Sequence, residues 1–228
     1  MTDFKFTDKN PRFFYDTGQF LFLKPLVDNF SVIKEELLNL LAADKENQWM
    51  RTFPSYVKSD SYKAWKIFSF IFFYMKFPSH AKLCPKTAEL VYSIPEILSC
   101  DYSFMKPHTH IMPHKGYTRM ALRCHLPLIV DNPELCKLRV GNEIVHWKEG
   151  ELIIFDDSFD HEAWNNSDRN RVVLMFDIPN PLWGYSSYEI SKYKIEHIDD
   201  PFLLAITSKE KWQESFEKKL FPLETFSE

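Results

Sequence analysis

The sequence predicts a mainly β fold, a jelly roll of eight short strands with helices before and after it. Two observations carry that expectation. From Asp101 to Pro179, short apolar or alternating runs are separated by Gly, Pro, Asn and Asp, the spacing of a sandwich or barrel. On either side, at residues 28–43 and 209–219, the apolar residues instead recur at helical spacing.

The first helix is predicted over 28–43, where Phe30, Ile33, Leu37, Leu40 and Leu41 share one face and Asp28 or Asn29 is available as its N-cap. Between Trp65 and Met75, aromatic and β-branched residues favour a strand, although a buried helix would read the same way. Pro85 opens a short helix over Lys86–Ser93. The candidate strands are 101–106, 109–113, 119–130, 136–140, 143–148, 151–155, 161–164 and 170–178. The last helix presents Trp212, Phe216 and Leu220 as a stripe. A single domain, 1–228, is expected, with a barrel at about 101–179, N-terminal support over 1–100 and C-terminal helices over 180–228.

Composition narrows the function classes. Lys and Arg number 28 against 32 Asp and Glu, a net charge of −4, and no segment collects the basic residues of a nucleic-acid footprint. Four cysteines without CxxC pairing read as buried thiols in a reducing compartment. The most apolar stretch, Phe68–Met75, is far shorter than the roughly 20 residues of a membrane span. Met1–Lys9 lacks a continuous apolar run, so neither a signal peptide nor a membrane partner is expected, and the cytoplasm is the expected location. The aromatic-rich segments 12–22 and 182–194 are candidates for a substrate wall or for plain packing.

The chemistry collects around histidine. Six of the eight, His108, His110, His114, His125, His146 and His161, lie between residues 108 and 161. His161 opens a strand after an acidic turn and His114 follows a strand, so both stand at the rim of the barrel, where two imidazoles can share a metal. The alternative is that His161 hydrogen-bonds Asp157 or Glu162 within its turn. On strand 119–130, Met120, Leu122, Cys124, Leu126 and Leu128 form a core face and leave Arg123 and His125 on the other. That second face points either into the barrel, where both side chains can donate to carboxylate oxygens, or to water. Arg171 stands among apolar neighbours on its side of strand 170–178. Inside a barrel it requires a carboxylate partner, which a dicarboxylate ligand would supply.

The segments PHTHIMPHKGYTRMALRCHLPL at 107–128 and CKLRVGNEIVHWKEGELIIFDDSFDHEAWNNSDRNRVVLMFDI at 136–178 resemble the aspartyl/asparaginyl β-hydroxylase family. WKIF at 65–68 and CPKTAEL at 84–90 resemble its upstream segments. The resemblance implies a double-stranded β-helix, cupin-like in architecture, and an Fe(II)- and 2-oxoglutarate-dependent dioxygenase that uses O2. It implies His114 and His161 as iron ligands, Arg171 and Ser103 as 2-oxoglutarate-binding residues, Arg123 and His125 as further co-substrate contacts, and Trp65 as a pocket residue. Gly116 stands where most non-haem iron oxygenases carry a carboxylate ligand, a departure shared by this family. Asp156, Asp157, Asp160 and Glu162 are then residues of the turn and of the support behind the ligands.

The resemblance further implies hydroxylation of an unactivated carbon, with the β-carbon of an Asp or Asn side chain in a small amino acid or peptide as the expected target. Two alternatives stand beside it. One is another cupin-type metalloprotein using His108, His110 or both. The other is a non-catalytic sensor of iron and 2-oxoglutarate on the same fold. The residues do not indicate an oligomeric state.

Overall fold

The computed structural model describes residues 12–43, 45–59 and 63–224. The Met1–Lys9 segment, read above for a leader, lies outside them. The N-terminal support holds strand β1 (Phe14–Tyr15), helices α1 (Lys24–Asp28) and α2 (Phe30–Ala42), strands β2 (Met50–Arg51), β3 (Val57–Lys58), β4 (Trp65–Phe72) and β5 (Met75–Lys76), and helices α3 (Pro78–Leu83) and α4 (Pro85–Ser93). The helix predicted from residue 28 therefore divides at Asn29. Neither proposed cap residue caps it: Asp28 pairs with Lys24, and the Asn29 amide donates to the Pro25 carbonyl. Its buried stripe, Ile33, Leu37 and Leu40, is the predicted one.

The eight barrel strands follow as β6 (Ser99–Met105), β7 (Thr109–His114), β8 (Ala121–Ile129), β9 (Cys136–Val140), β10 (Glu143–His146), β11 (Ile153–Phe155), β12 (His161–Asn165) and β13 (Arg171–Pro179). Each coincides with a predicted run. All pair antiparallel, in two sheets. The larger has the order β1-β11-β8-β13-β6-β4-β2, with β5 on β4; the smaller has the order β10-β9-β12-β7-β3. Strands β6, β8, β11 and β13 fall in the first and β7, β9, β10 and β12 in the second, so the chain winds between two facing sheets as a double-stranded β-helix.

Strand parity assigns the layers. One face of the larger sheet, with Tyr102, Leu122, Leu126, Leu174 and Phe176, packs against Ile33, Leu37, Ala88 and Val91 of the N-terminal helices. The other face looks between the sheets, where Trp65, Met105 and Val173 meet Ile111, Leu138 and Ala163. Strand β4 is buried along its whole length, which explains why its sequence shows no alternation. It turns back at Phe73 and Tyr74, both at positive φ (46° and 68°).

Helices α5 (Ser187–Glu196), α6 (Pro201–Ile206) and α7 (Lys209–Glu217) close this end, with Ile195, Leu203, Trp212 and Phe216 against Phe72, Phe73 and Met75. Leu220, predicted to belong to the last helical stripe, lies beyond α7 and bridges to Lys76. Among the described residues no helix is long and apolar enough to cross a membrane.

Because Leu174 is fully buried in the helix-facing layer, Leu174→Ala should cost about 2–5 kcal/mol. Leu21→Ala, at a side chain that is mostly exposed, should cost less than about 0.5 kcal/mol. Urea unfolding followed by circular dichroism measures both.

Candidate active site

The interior face of β13 carries Arg171, Val173, Met175 and Asp177. Its two neighbours bring further polar residues to the same face. Asp177 lies opposite Ser99 and Arg123, Met175 opposite Asp101 and His125, and Val173 opposite Ser103. From the smaller sheet, His161 on β12 pairs directly with His114 on β7. All seven residues singled out in the sequence, Trp65, Ser103, His114, Arg123, His125, His161 and Arg171, line one cavity of about 350 Å³ between the sheets. His114 is the last residue of its strand rather than the first after it.

The two rim imidazoles have ring centroids 4.2 Å apart. The Nδ1 of His114 lies 2.8 Å from the Met112 carbonyl, and that of His161 lies 2.9 Å from the Phe159 carbonyl. A carbonyl only accepts, so both Nδ1 atoms carry the proton and both Nε2 lone pairs are left for a ligand. Burial lowers both rings to about 4, and His161 adds to the effect at His114. Both are therefore neutral at pH 7, as metal coordination requires.

At the cavity's other end the groups are donors. Arg171 is fully buried, with its guanidinium 4.3 Å from the centre of the Trp147 ring. Its Nη1 donates to the Ser103 carbonyl at 3.4 Å, its Nη2 meets the Met105 sulfur, and its Nε has no partner. Among the described residues no carboxylate pairs with it, and burial lowers its pKa to about 10. Trp147 donates from Nε1 to His125 Nδ1 at 3.2 Å, which assigns the His125 proton to Nε2, an atom that is buried without a partner. Trp65 donates to Ser103 Oγ at 3.1 Å and leaves the hydroxyl proton free to point elsewhere. Arg171, His125 and Ser103 therefore converge as unspent donors, a set suited to a carboxylate.

Arg123 lines the same cavity, but its guanidinium is already held. It donates bidentately to Asp177 at 2.9 and 3.1 Å, and its Nη1 lies 3.1 Å from Asp157. The Asp157 carboxylate sits over Gly116, where a Cβ would meet it at 2.4 Å. The missing side chain at Gly116 thus makes room for Asp157, which turns toward Arg123. Among the described residues no group of three or more His, Cys, Asp or Glu side chains could hold a metal ion. What the chain offers is the imidazole pair, two neutral nitrogen donors of the kind that coordinate divalent transition metals and leave positions for other ligands.

The other histidines have separate duties. His108 is exposed beside Asp168, His110 pairs with Glu162 and stacks on Trp164, and His146 bonds the Pro133 carbonyl. His161 does not pair with Glu162, which binds His110 and Arg139 instead; of the expected turn contacts it makes one to the Asp157 backbone carbonyl rather than to its carboxylate.

A second pocket of about 740 Å³ adjoins the first, sharing Trp65, His114, Arg123 and Met175. Its walls include Phe53, Tyr56, Phe73 and Tyr117, and its polar lining includes Asp101, Asp177 and Lys194. Of the aromatic segments considered as a substrate wall, 182–194 contributes Lys194 to the lining. The 12–22 segment packs elsewhere, with Phe13 on Phe159 and Phe14 near Phe155.

Sequence reasoning missed Trp147, which orients His125 and covers Arg171, and it gave no role to Asp101 or Asp177. Parity was the available signal for the two aspartates, which share an interior face with Ser103 and Arg171. Trp147 lies just past the end of β10, where no alternation applies.

This is a double-stranded β-helix protein with a polar pocket between its sheets. The sequence profile described as aspartyl/asparaginyl β-hydroxylase matches residues 27–181, and the chain belongs to that family. It is 36% identical over 170 residues to an ornithine lipid ester-linked acyl 2-hydroxylase of Rhizobium tropici, covering 74% of this chain and 60% of the relative. It is 42% identical over 105 residues to the human aspartyl/asparaginyl β-hydroxylase, covering 44% of this chain and 14% of that one. The chain thus spans less than two thirds of the length of these relatives, narrowly for the first and by far for the second. A prolyl-4-hydroxylase from Pseudomonas putida superposes with a TM-score of 0.46 at 14% identity, over 70% of this chain and 99% of that one.

Gly116→Ala should displace Asp157 from Arg123 and cost about 1–3 kcal/mol by overpacking, read as a lowered thermal midpoint. Val145→Ala, at a partly buried position on β10, should leave the Gly116 neighbourhood unchanged. A Gly116→Ala protein as stable as wild type would show that the Asp157 carboxylate moves away freely.

Proposed function

We propose that the chain is an iron(II)- and 2-oxoglutarate-dependent hydroxylase. The observation that carries this reading is the buried Arg171 guanidinium without a carboxylate, joined by the free His125 Nε2–H and the Ser103 hydroxyl, across one cavity from two neutral imidazoles. His114 and His161 would hold iron through their free Nε2 atoms. When bound, iron and 2-oxoglutarate supply oxidative decarboxylation to succinate, coupled to the activation of O2.

The chain's own residues bind and orient. Arg171 takes the distal carboxylate of 2-oxoglutarate, because an unpaired buried guanidinium gains most from an anion there. His125 and Ser103 donate beside it, and Trp147 and Trp65 hold those two in position. Arg123, expected from the resemblance to reach the co-substrate, is assigned here to the partition between the two pockets, since Asp177 and Asp157 occupy its donors. The apolar walls exclude water from the space between the imidazoles and Arg171.

The target is an unactivated C–H bond presented from the second pocket. An Asp or Asn side chain of a small amino acid or peptide is the reading taken from the family resemblance. The aromatic walls of that pocket favour a second reading, an acyl chain, in keeping with the similarity to the acyl 2-hydroxylase of Rhizobium tropici. The cupin-type alternative, with His108 or His110 as ligands, loses support because both are paired away from the cavity. The sensor alternative differs in one observable, the absence of substrate-stimulated turnover.

Anaerobic titration with iron(II) and then 2-oxoglutarate should produce a weak visible charge-transfer band, and oxygen should then release succinate. His114→Ala and His161→Ala should each abolish iron binding. Arg171→Ala should raise the 2-oxoglutarate concentration for half-maximal turnover at least about tenfold, the loss of a charge-assisted contact, while iron binding persists. Undiminished iron affinity in both histidine variants would overturn the metal assignment.

A further inference from the structure

The second pocket is lined by buried polar oxygens that the co-substrate cavity does not explain. Asp101, Asp157 and Asp177 are buried beside the partly buried Arg123 and the buried Lys194. Arg123 serves Asp157 and Asp177, and Lys194 lies 3.8 Å from Asp177. Asp101 makes no direct ion pair with either cation; Ser69 hydrogen-bonds its carboxyl and Arg123 attracts it from farther away. The Asp101 side chain is 3% exposed, and its Oδ1 has no hydrogen-bond partner although it lines the pocket. Burial, with Asp177 adding to the effect, raises its carboxyl to about 8, as befits an acid buried without its counter-ion.

Two further features mark this as a built site. Thr52 Oγ1, on another wall of the same pocket, is likewise buried and unpartnered. The aromatic walls are held in uncommon backbone geometry, with Phe53 and Phe73 at φ of 35° and 46°. The Phe73 N–H donates to Ser99 Oγ at 3.0 Å, and Phe53 lies between Tyr56 and Phe202.

We infer that this pocket is the substrate subsite, and that Asp101 receives a cationic nitrogen, an ammonium group carried by the substrate, with Thr52 accepting a second N–H. The inference rests on the hydroxylase reading for the term substrate. An ammonium gives both orphaned oxygens a donor, pairs with Asp101 as that carboxyl gives up its proton on binding, and gains attraction from the surrounding rings. An acidic substrate group placed here could accept from the Thr52 hydroxyl but would give Asp101 no counter-ion. The subsite therefore selects amine-bearing molecules, whether a free amino acid or a lipid with an amino head group.

The test is calorimetric titration of the purified, iron-free protein, so that its outcome is independent of the iron and 2-oxoglutarate titration above. L-Asparagine stands for the amino-acid source, and dodecylammonium below its micelle concentration for the lipid source, each compared with its N-acetylated counterpart. At least one amine should bind ten or more times more tightly than its acetylated form, and which one does so identifies the source. Asp101→Asn keeps the side-chain size and should abolish that preference, whereas Thr52→Val should reduce it two- to threefold. Equal binding of amines and their acetylated forms by the wild type would overturn the inference whether or not the variants fold. Survival of the preference in folded Asp101→Asn would overturn it as well.

Discussion

The pairing register of β13 between β6 and β8 is the constraint on which the rest of the structure depends. One parity of this central strand fills the layer beneath the N-terminal helices with Val172, Leu174, Phe176 and Ile178. The other sends Arg171 and Asp177 into the space between the sheets. A slip of one residue would place a guanidinium in the helix-facing core and four large apolar side chains in the cavity, so the apolar layer enforces the position of the charged one. The ligand-binding face is held in place by hydrophobic burial on its reverse side.

The interior charges fall into two groups of opposite character. Around Arg123 every cation has a carboxylate within reach, and burial strengthens these ion pairs by removing solvent screening. Arg171 has only a backbone carbonyl, a thioether and an indole face. A folded chain that leaves a buried guanidinium without a carboxylate carries a cost of several kcal/mol, which an anionic ligand would offset, whereas Asp101 responds to its burial by holding its proton. Both groups lie on the interior face of the larger sheet, one lining each pocket.

Much of this was legible in the residues themselves. The eight barrel strands were readable because an antiparallel sheet with one core face shows its alternation directly, as at Leu122, Cys124, Leu126 and Leu128. Strand β4 was ambiguous because both its faces are buried, and α2 was placed with an incorrect start because the side chains of Asp28 and Asn29 bond backward to Lys24 and Pro25. The site residues could be named because the family resemblance and strand parity agreed on His125 and Arg171. Trp147 carried no such signal, since its role depends on two residues, 22 and 24 positions away, that meet only across the barrel.

By itself the sequence determined the membership in a family, the alternation that makes a jelly roll, and the identities of the imidazoles and guanidinium that face inward. The alternation follows from local periodicity, and the rest from the resemblance of the motif segments, neither of which tertiary contacts alter. Only the tertiary structure decided how the polar groups pair. Arg123 had the same standing as His125 on one strand face. Yet its donors are taken by Asp177 and Asp157, from two other parts of the chain, while His125 keeps a free N–H. Which buried charge is satisfied and which waits for a ligand is a property of distances between strands, because a buried ion's energy depends on its nearest partner and not on its place in the chain.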